Sequence, residues 1–468
     1  MIDAARVDRR LLAAVLAIVG AGAAQQVLVL AGAAGLGIVL VVPAMIAVVV
    51  LWRPAPEAIA CILLALGVEA ILELHTGGGR YSDWLLHYEL ARRYAGLSTG
   101  VDPAVVAGRT PLFHQLVGAV LNHVPGFAAF QVFSVFWNSL WLWPAAVLVR
   151  RARDGQPHRD WTLVAVAAGP FVLAYSVYTW PWGLCAFFLL AAVVFAGSPG
   201  RVGGAGMGAA AAAALLVHPG ALGYVAGLAV YAGARQRRAL LPACLAGMAV
   251  TATALPWVWT VTHGGDFGRM FAASVPARQA VGPALWLVTR LLTVAASFWP
   301  VAPLSGAGPA DWVVAFFVLT LPGAVLLTLV ATRRRRTLPP PAAAMVAGGA
   351  LVGLLIYPPN NAMSGMLDAL YPAVVLVVVF AVASASDSMV ARLAVLQSAA
   401  AVLFLGCLLL VSNAPAAGDG NLELKNAAGT HYLADILGPW PGAVLLVAAV
   451  GLLYWLVSRQ RRGAPVNG

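Results

Sequence analysis

The chain has 468 residues, of which 62% are hydrophobic and only 10% charged, and a formal net charge of +11. A soluble globular chain carries about 25% charged residues, so this composition excludes an ordinary soluble enzyme and predicts an all-α polytopic membrane protein. The positive charge does not imply nucleic acid, because the arginines sit in short loops between apolar runs and form no basic-aromatic module.

Apolar runs long enough to cross a bilayer recur from end to end. They predict spans near 11–29, 32–52, 56–74, 127–149, 161–179, 182–197, 204–217, 219–234, 239–262, 311–332, 340–357, 367–385, 391–412 and 438–457. The first begins after MIDAARVDRR and resembles a signal peptide; the many spans behind it favour a retained helix. The first two could equally be one long tilted helix plus a re-entrant piece. His218-Pro219-Gly220 is read as the turn between two short spans. Cys61, Cys185, Cys244 and Cys407 each lie in an apolar run and read as buried thiols. The total of about 12–14 spans forms one integral-membrane domain over 1–468, with no separate soluble domain.

Arginine sets the expected orientation. Arg6, Arg9, Arg10, Arg53, Arg150, Arg151, Arg153, Arg159, Arg201, Arg235, Arg237, Arg238, Arg333 to Arg336, Arg392, Arg459, Arg461 and Arg462 fall on one side, predicted cytoplasmic together with both termini. Arg80, Arg92, Arg93, Arg109, Arg269, Arg278 and Lys425 fall on the other. That outer side holds two long loops, 75–126 and 263–310, the second with a helix lying in the interface around Arg290. Long ordered loops are usually functional, so chemistry is expected to face outward.

The first outer loop carries the densest polar cluster, GGGRYSDWLLHYELARRYAG at 77–96. Ser82 or Asp83 can cap a helix running to about Tyr94, and Gly96 ends it. Asp83, His87, Leu90 and Tyr94 then share one face. The plain structural account makes Asp83 a cap, Glu89 with Arg92 or Arg93 a surface pair, and Tyr88 and Tyr94 belt residues at the lipid interface. It does not account for GRTPLFHQLVGAVLNHVPG at 108–126, where Arg109, Pro111 and His114 open a short amphipathic helix.

Together these segments resemble the GT-C superfamily of polytopic glycosyltransferases. The resemblance rests on Asp83-Trp84-Leu85-Leu86-His87-Tyr88, then Arg109-Thr110-Pro111-Leu112-Phe113, where members carry an acid and an aromatic, then a basic residue with Pro-Pro-Leu. Here there is one proline, and no second acid directly follows Asp83. Residues 167–194 and 215–230 look like paired spans of that family, and Tyr371-Pro372 resembles its late Arg-Tyr-x-x-Pro segment without a clear arginine. The resemblance implies a GT-C-like fold and transfer of a sugar from a polyprenyl-phosphate donor to a hydroxyl at the outer face. The acceptor would be a glycolipid, polysaccharide or protein. Asp83 is then the general base of an inverting displacement. Arg109 leads Arg80, Arg269 and Arg278 as partners of the leaving phosphate, and His87, Tyr88, His114, Asp266 and Tyr371 are candidate substrate contacts. For His87 and Asp266 the bland readings, a satisfied core histidine and a loop cap, weigh against a role.

No HExxH, DxD or clustered His/Asp set points to a catalytic metal, although some members use a divalent cation. The alanine-rich, arginine-for-lysine usage suggests a high-GC bacterial genome, hence a plasma-membrane location and, by analogy, mannose or arabinofuranose as the sugar. The alternatives are a secondary transporter, for which Glu69 and Gln25-Gln26 are almost the only deep polar residues, an envelope-polymer ligase or polymerase, and a non-catalytic scaffold.

Overall fold

The computed structural model describes residues 4–76, 82–97, 99, 109–152, 161–167, 172, 181–198, 200–263, 338–356, 365–383 and 438–462. Among the described residues the chain is helical, with no strand. In a bilayer a helix satisfies every backbone N–H and C=O within itself, and the apolar runs leave little other choice.

In order, the helices are α1 (Ala4–Leu30), α2 (Ile38–Trp52), α3 (Pro56–Thr76), α4 (Ser82–Tyr94), α5 (Leu112–Leu121), α6 (Phe127–Ser139), α7 (Leu142–Ala152) and α8 (Trp161–Ala167). Then come α9 (Trp182–Ala196), α10 (Gly200–Val217), α11 (Leu222–Arg235), α12 (Arg237–Ala252), α13 (Leu255–His263), α14 (Pro340–Ile356), α15 (Gly365–Ala383) and α16 (Pro439–Arg462). Four stretches are long and apolar enough to cross a membrane: Ala5–Leu30, Ala34–Trp52, Phe127–Ala152 and Gly200–Val217. Several others, including Trp182–Ala196 and Trp440–Leu456, are apolar but shorter.

Small residues set the packing. In α10, Gly204 and Gly208 lie against Ala239 and Ala243 of α12, and a Cβ on either glycine would collide with that backbone. Gly223 and Gly227 of α11 meet Gly348 and Ala344 of α14 in the same way. Such small-xxx-small pairs let two helix backbones approach where lipid offers no hydrophobic drive for association. The fifteen residues of α9 are all buried, and it packs chiefly against α6, α7, α10 and α15.

Two expected spans are interrupted. The 239–262 segment breaks between α12 and α13 at Thr253, whose hydroxyl donates to the Val250 carbonyl at 2.6 Å. The 127–149 segment has a joint at Leu140, beside the site where Asn138 Oδ1 accepts from the Leu184 backbone N–H at 3.0 Å. The first two spans are separate helices, divided by a turn in which Gly32 takes a left-handed φ of 69°. Cys61 and Cys185 are buried as expected, but Cys244 is exposed on α12, a face turned outward from the bundle; Cys407 lies outside the described residues.

One end of the bundle is basic. Arg151 pairs with Asp8 at 2.7 Å and donates to the Val194 carbonyl at 2.6 Å. Arg10 lies near enough to Arg6 and Arg53 to feel their charges. The Gln236 amide reaches the Ala196 carbonyl at the same end. The polar cluster between α4 and α5 lies toward the opposite end.

Candidate functional site

The site is built on α4 and α5. α4 stops where the sequence predicts: Gly96 is left-handed at φ 74°, its N–H bonds to the Arg93 carbonyl, and the Leu97 N–H reaches back to Arg92, both at 3.0 Å. This double closure satisfies carbonyls that the helix end would otherwise orphan. Glu89 pairs with Arg92 at 2.9 Å, as expected for a surface pair.

α5 departs from expectation. A short helix with a wet face was predicted; all ten of its residues are buried. Its polar groups are satisfied inside the protein instead. Gln115 donates to Gln26 Oε1 of α1 at 3.0 Å. The next residue along α1, Gln25, donates to the Tyr94 carbonyl at 2.6 Å, and Asn122 donates to the Ala95 carbonyl at 2.6 Å. Tyr88 and Tyr94 are likewise not interfacial: both are buried. Tyr88 packs edge-on to Phe127, with centroids 5.2 Å apart, and Arg92 lies over its ring.

The two helices run parallel in a fixed register. His87 contacts His114, Ala91 faces Gly118, and Ala95 faces Asn122. Gly118 makes this possible, since a Cβ there would lie 2.5 Å from the Ala91 carbonyl and 2.8 Å from Tyr94 Cβ. Asp83 lies one turn before His87 on α4, and Arg109 and Thr110 lie just ahead of the first residue of α5, Leu112. The side chain of Asp83 lies outside the described residues, as do Arg80, Asp266, Arg269, Arg278 and the second outer loop from 264 onward.

His87 and His114 meet nitrogen to nitrogen at 2.7 Å, with ring centroids 5.0 Å apart and planes within 9°. Those three values together describe rings edge to edge in nearly one plane rather than face to face. His114 Nδ1 lies 3.2 Å from the Thr110 carbonyl. Both rings are buried. Burial first, then mutual repulsion and the charge of Arg109, hold His87 well below the usual imidazole range. Burial takes His114 down to about 3, with Arg109 adding to it against the bond to Thr110. Both are neutral at pH 7.

A third histidine was missed as a site residue. His218, between α10 and α11, is also depressed to about 3 by burial, Arg109 and His114. Its Nδ1 accepts from the Gly220 N–H at 3.0 Å, and its ring lies 3.9 Å from that of Trp182. The only sequence signal was a histidine closing an apolar helix ahead of Pro-Gly. Tyr371 is fully buried in α15, which packs against α7, α8, α9 and α14.

The structure therefore brings His87, Arg109 and His114 together and adds His218. A guanidinium whose charge reaches neutral imidazoles can attract an anion, while an imidazole nitrogen not already bonded within the protein can exchange a hydrogen bond with a hydroxyl. Among the described residues there is no cluster of three or more metal-ligand side chains. No protein-family model, curated protein or solved structure matches this chain.

Proposed function

We propose that this chain is a bacterial plasma-membrane glycosyltransferase of GT-C-like architecture, with about 12–14 spans of the length a bilayer requires. It moves a sugar from a polyprenyl phosphate to an acceptor hydroxyl at the outer face. The observation that carries the reading is the parallel register of α4 and α5. It brings His87, beside Asp83 in the first half of the motif, against His114, the residue that follows the second half. A carboxylate there takes the proton of a hydroxyl that is otherwise a poor nucleophile, an effect of about 100- to 10,000-fold. Arg109 stands where the leaving phosphate gains its charge. Phosphate needs no general acid to leave, only compensating positive charge and donors.

The test is incubation of the purified protein with a panel of polyprenyl-phosphate sugars, beginning with mannose and arabinofuranose, and a glycolipid acceptor. A donor-dependent product is expected from wild type and none from Asp83→Asn, with unchanged expression and melting. Full turnover by Asp83→Asn removes the base assignment. A secondary transporter is the competing reading, favoured by the buried Gln26–Gln115 pair; uptake of a labelled solute indifferent to lipid-linked sugars would select it.

A further inference from the structure

The hydrogen bonds of the histidine pair determine where its protons sit. A backbone carbonyl can only accept, so the nitrogen of His114 that meets the Thr110 carbonyl, Nδ1, carries hydrogen. A neutral imidazole has one N–H, so His114 Nε2 presents a lone pair. Its partner at 2.7 Å, His87 Nδ1, must then donate. That leaves His87 Nε2 unprotonated. Thr110, His114 and His87 form a directional chain, and each ring's tautomer is imposed by the next. His218 has the opposite polarity: its Nδ1 accepts from Gly220, so its Nε2 is the donor.

The geometry points to His87 as a specificity residue whose Nε2 accepts a hydrogen bond from a hydroxyl of a sugar substrate, with His114 the positioning residue that fixes that polarity. This rests on the glycosyl-transfer reading and deepens it. Asp83 remains the proton acceptor for the reacting hydroxyl, and His87 holds a second hydroxyl that keeps its proton. An acceptor-only nitrogen selects a ligand group that donates. A sugar lacking that hydroxyl leaves the nitrogen unpaired in a buried site, and discrimination against such analogues follows from the unpaired partner. Arg109 nearby opposes protonation of the ring and so preserves the acceptor.

The decisive variants are His114→Gln and His114→Leu. The amide oxygen that His114→Gln supplies can still accept from His87 Nδ1, so the tautomer persists. His114→Leu removes the acceptor and frees His87 to carry its hydrogen at Nε2. Nitrogen-15 spectra of histidine-labelled protein in nanodiscs should show a hydrogen-free His87 Nε2 in wild type and His114→Gln, and an Nε2–H in His114→Leu. With polyprenyl-phosphate mannose as donor and octyl mannoside as acceptor, His114→Leu should raise the acceptor KM about ten-fold at nearly constant kcat, the size of one hydrogen bond. His114→Gln should stay within about two-fold of wild type on the same grounds. One member of the monodeoxy octyl mannoside series should lose equally in wild type and gain no further penalty in His114→Leu. A hydrogen on His87 Nε2 in wild type overturns the inference and leaves the glycosyl-transfer reading standing. So does a monodeoxy series in which every hydroxyl is additive with His114→Leu. No turnover with any donor, against a hydrogen-free Nε2, removes the glycosyl-transfer reading and the inference with it.

Discussion

A buried neutral imidazole beside a guanidinium resists protonation, and this fixes the sign of the protein's response to acid. His87, His114 and His218 are all held below the ordinary histidine value, by burial before anything else. The groups acting on them come from each neighbouring segment: Tyr94 from α4, Arg109 from the approach to α5, and one another. In the unfolded chain each takes up a proton near its ordinary value of about 6.5. In the folded protein it does not until far lower. For His114 and His218 the unfolded state therefore binds more protons between about 6.5 and about 3, so stability falls as pH falls through that window, and His87 acts in the same direction. By pH 5.5 each such histidine costs about 1 kcal/mol on this reasoning. Melting temperature in detergent should drop steadily from pH 7 to pH 5. His218→Gln, removing one buried imidazole, should make that slope shallower; an unchanged slope means His218 is charged or wet in the folded protein. The part played by His218 was not legible in the sequence, where a histidine before Pro-Gly looks like any turn.

At the scale of the element, the informative feature is α5, because its polar residues misled. The segment with His114 looked like a short amphipathic helix with a wet face. Helical periodicity reports only that polar side chains share a face, not whether water or protein satisfies them. Here His87 and Gln26 do. What was legible is the C-terminal end of α4, since Gly96 is a local signal with a local cause. The long apolar runs that became α1 to α3, α9 to α12 and α14 to α16 were legible too. The break at Thr253 was not, since nothing in its apolar surroundings marks it. The parallel pairing of α4 with α5 was also hidden, because it hangs on one residue without a Cβ. Gly118→Val should push the helices apart against the Ala91 carbonyl. Overpacking of this kind costs about 1–3 kcal/mol. The expected outcome is a lower melting temperature, and separation of His87 from His114 seen as a change in their nitrogen-15 signals. A variant with wild-type melting and unchanged histidine signals would show that the crossing tolerates the extra methyls and that Gly118 does not set the register.

For the molecule as a whole, charge and site lie at opposite ends. Asp8 and Arg10, Arg53, Arg151 and Gln236 come from four separated parts of the chain and gather at one end. The sequence assigned Arg10, Arg53 and Arg151 to one side on the positive-inside rule alone, and their convergence is geometry that rule does not use. The other end carries the turn after α5, where His123 bonds to the Gly35 carbonyl at 2.7 Å and Val124 is exposed. On the proposed reading the short arginine-rich loops lie in the cytoplasm and the α4–α5 site lies toward the outer face. Replacing the four cysteines and adding single ones tests this directly. Val124→Cys substitutes an exposed position in a turn and Arg201→Cys an exposed position in the first turn of α10, so neither variant disturbs a buried contact. A membrane-impermeant maleimide should label Val124→Cys in intact cells and Arg201→Cys only after the membrane is opened. The reverse pattern would place the histidine cluster on the cytoplasmic side. A donor presented at the outer face could not then reach Arg109, and the substrate would have to be one that the cytoplasm supplies.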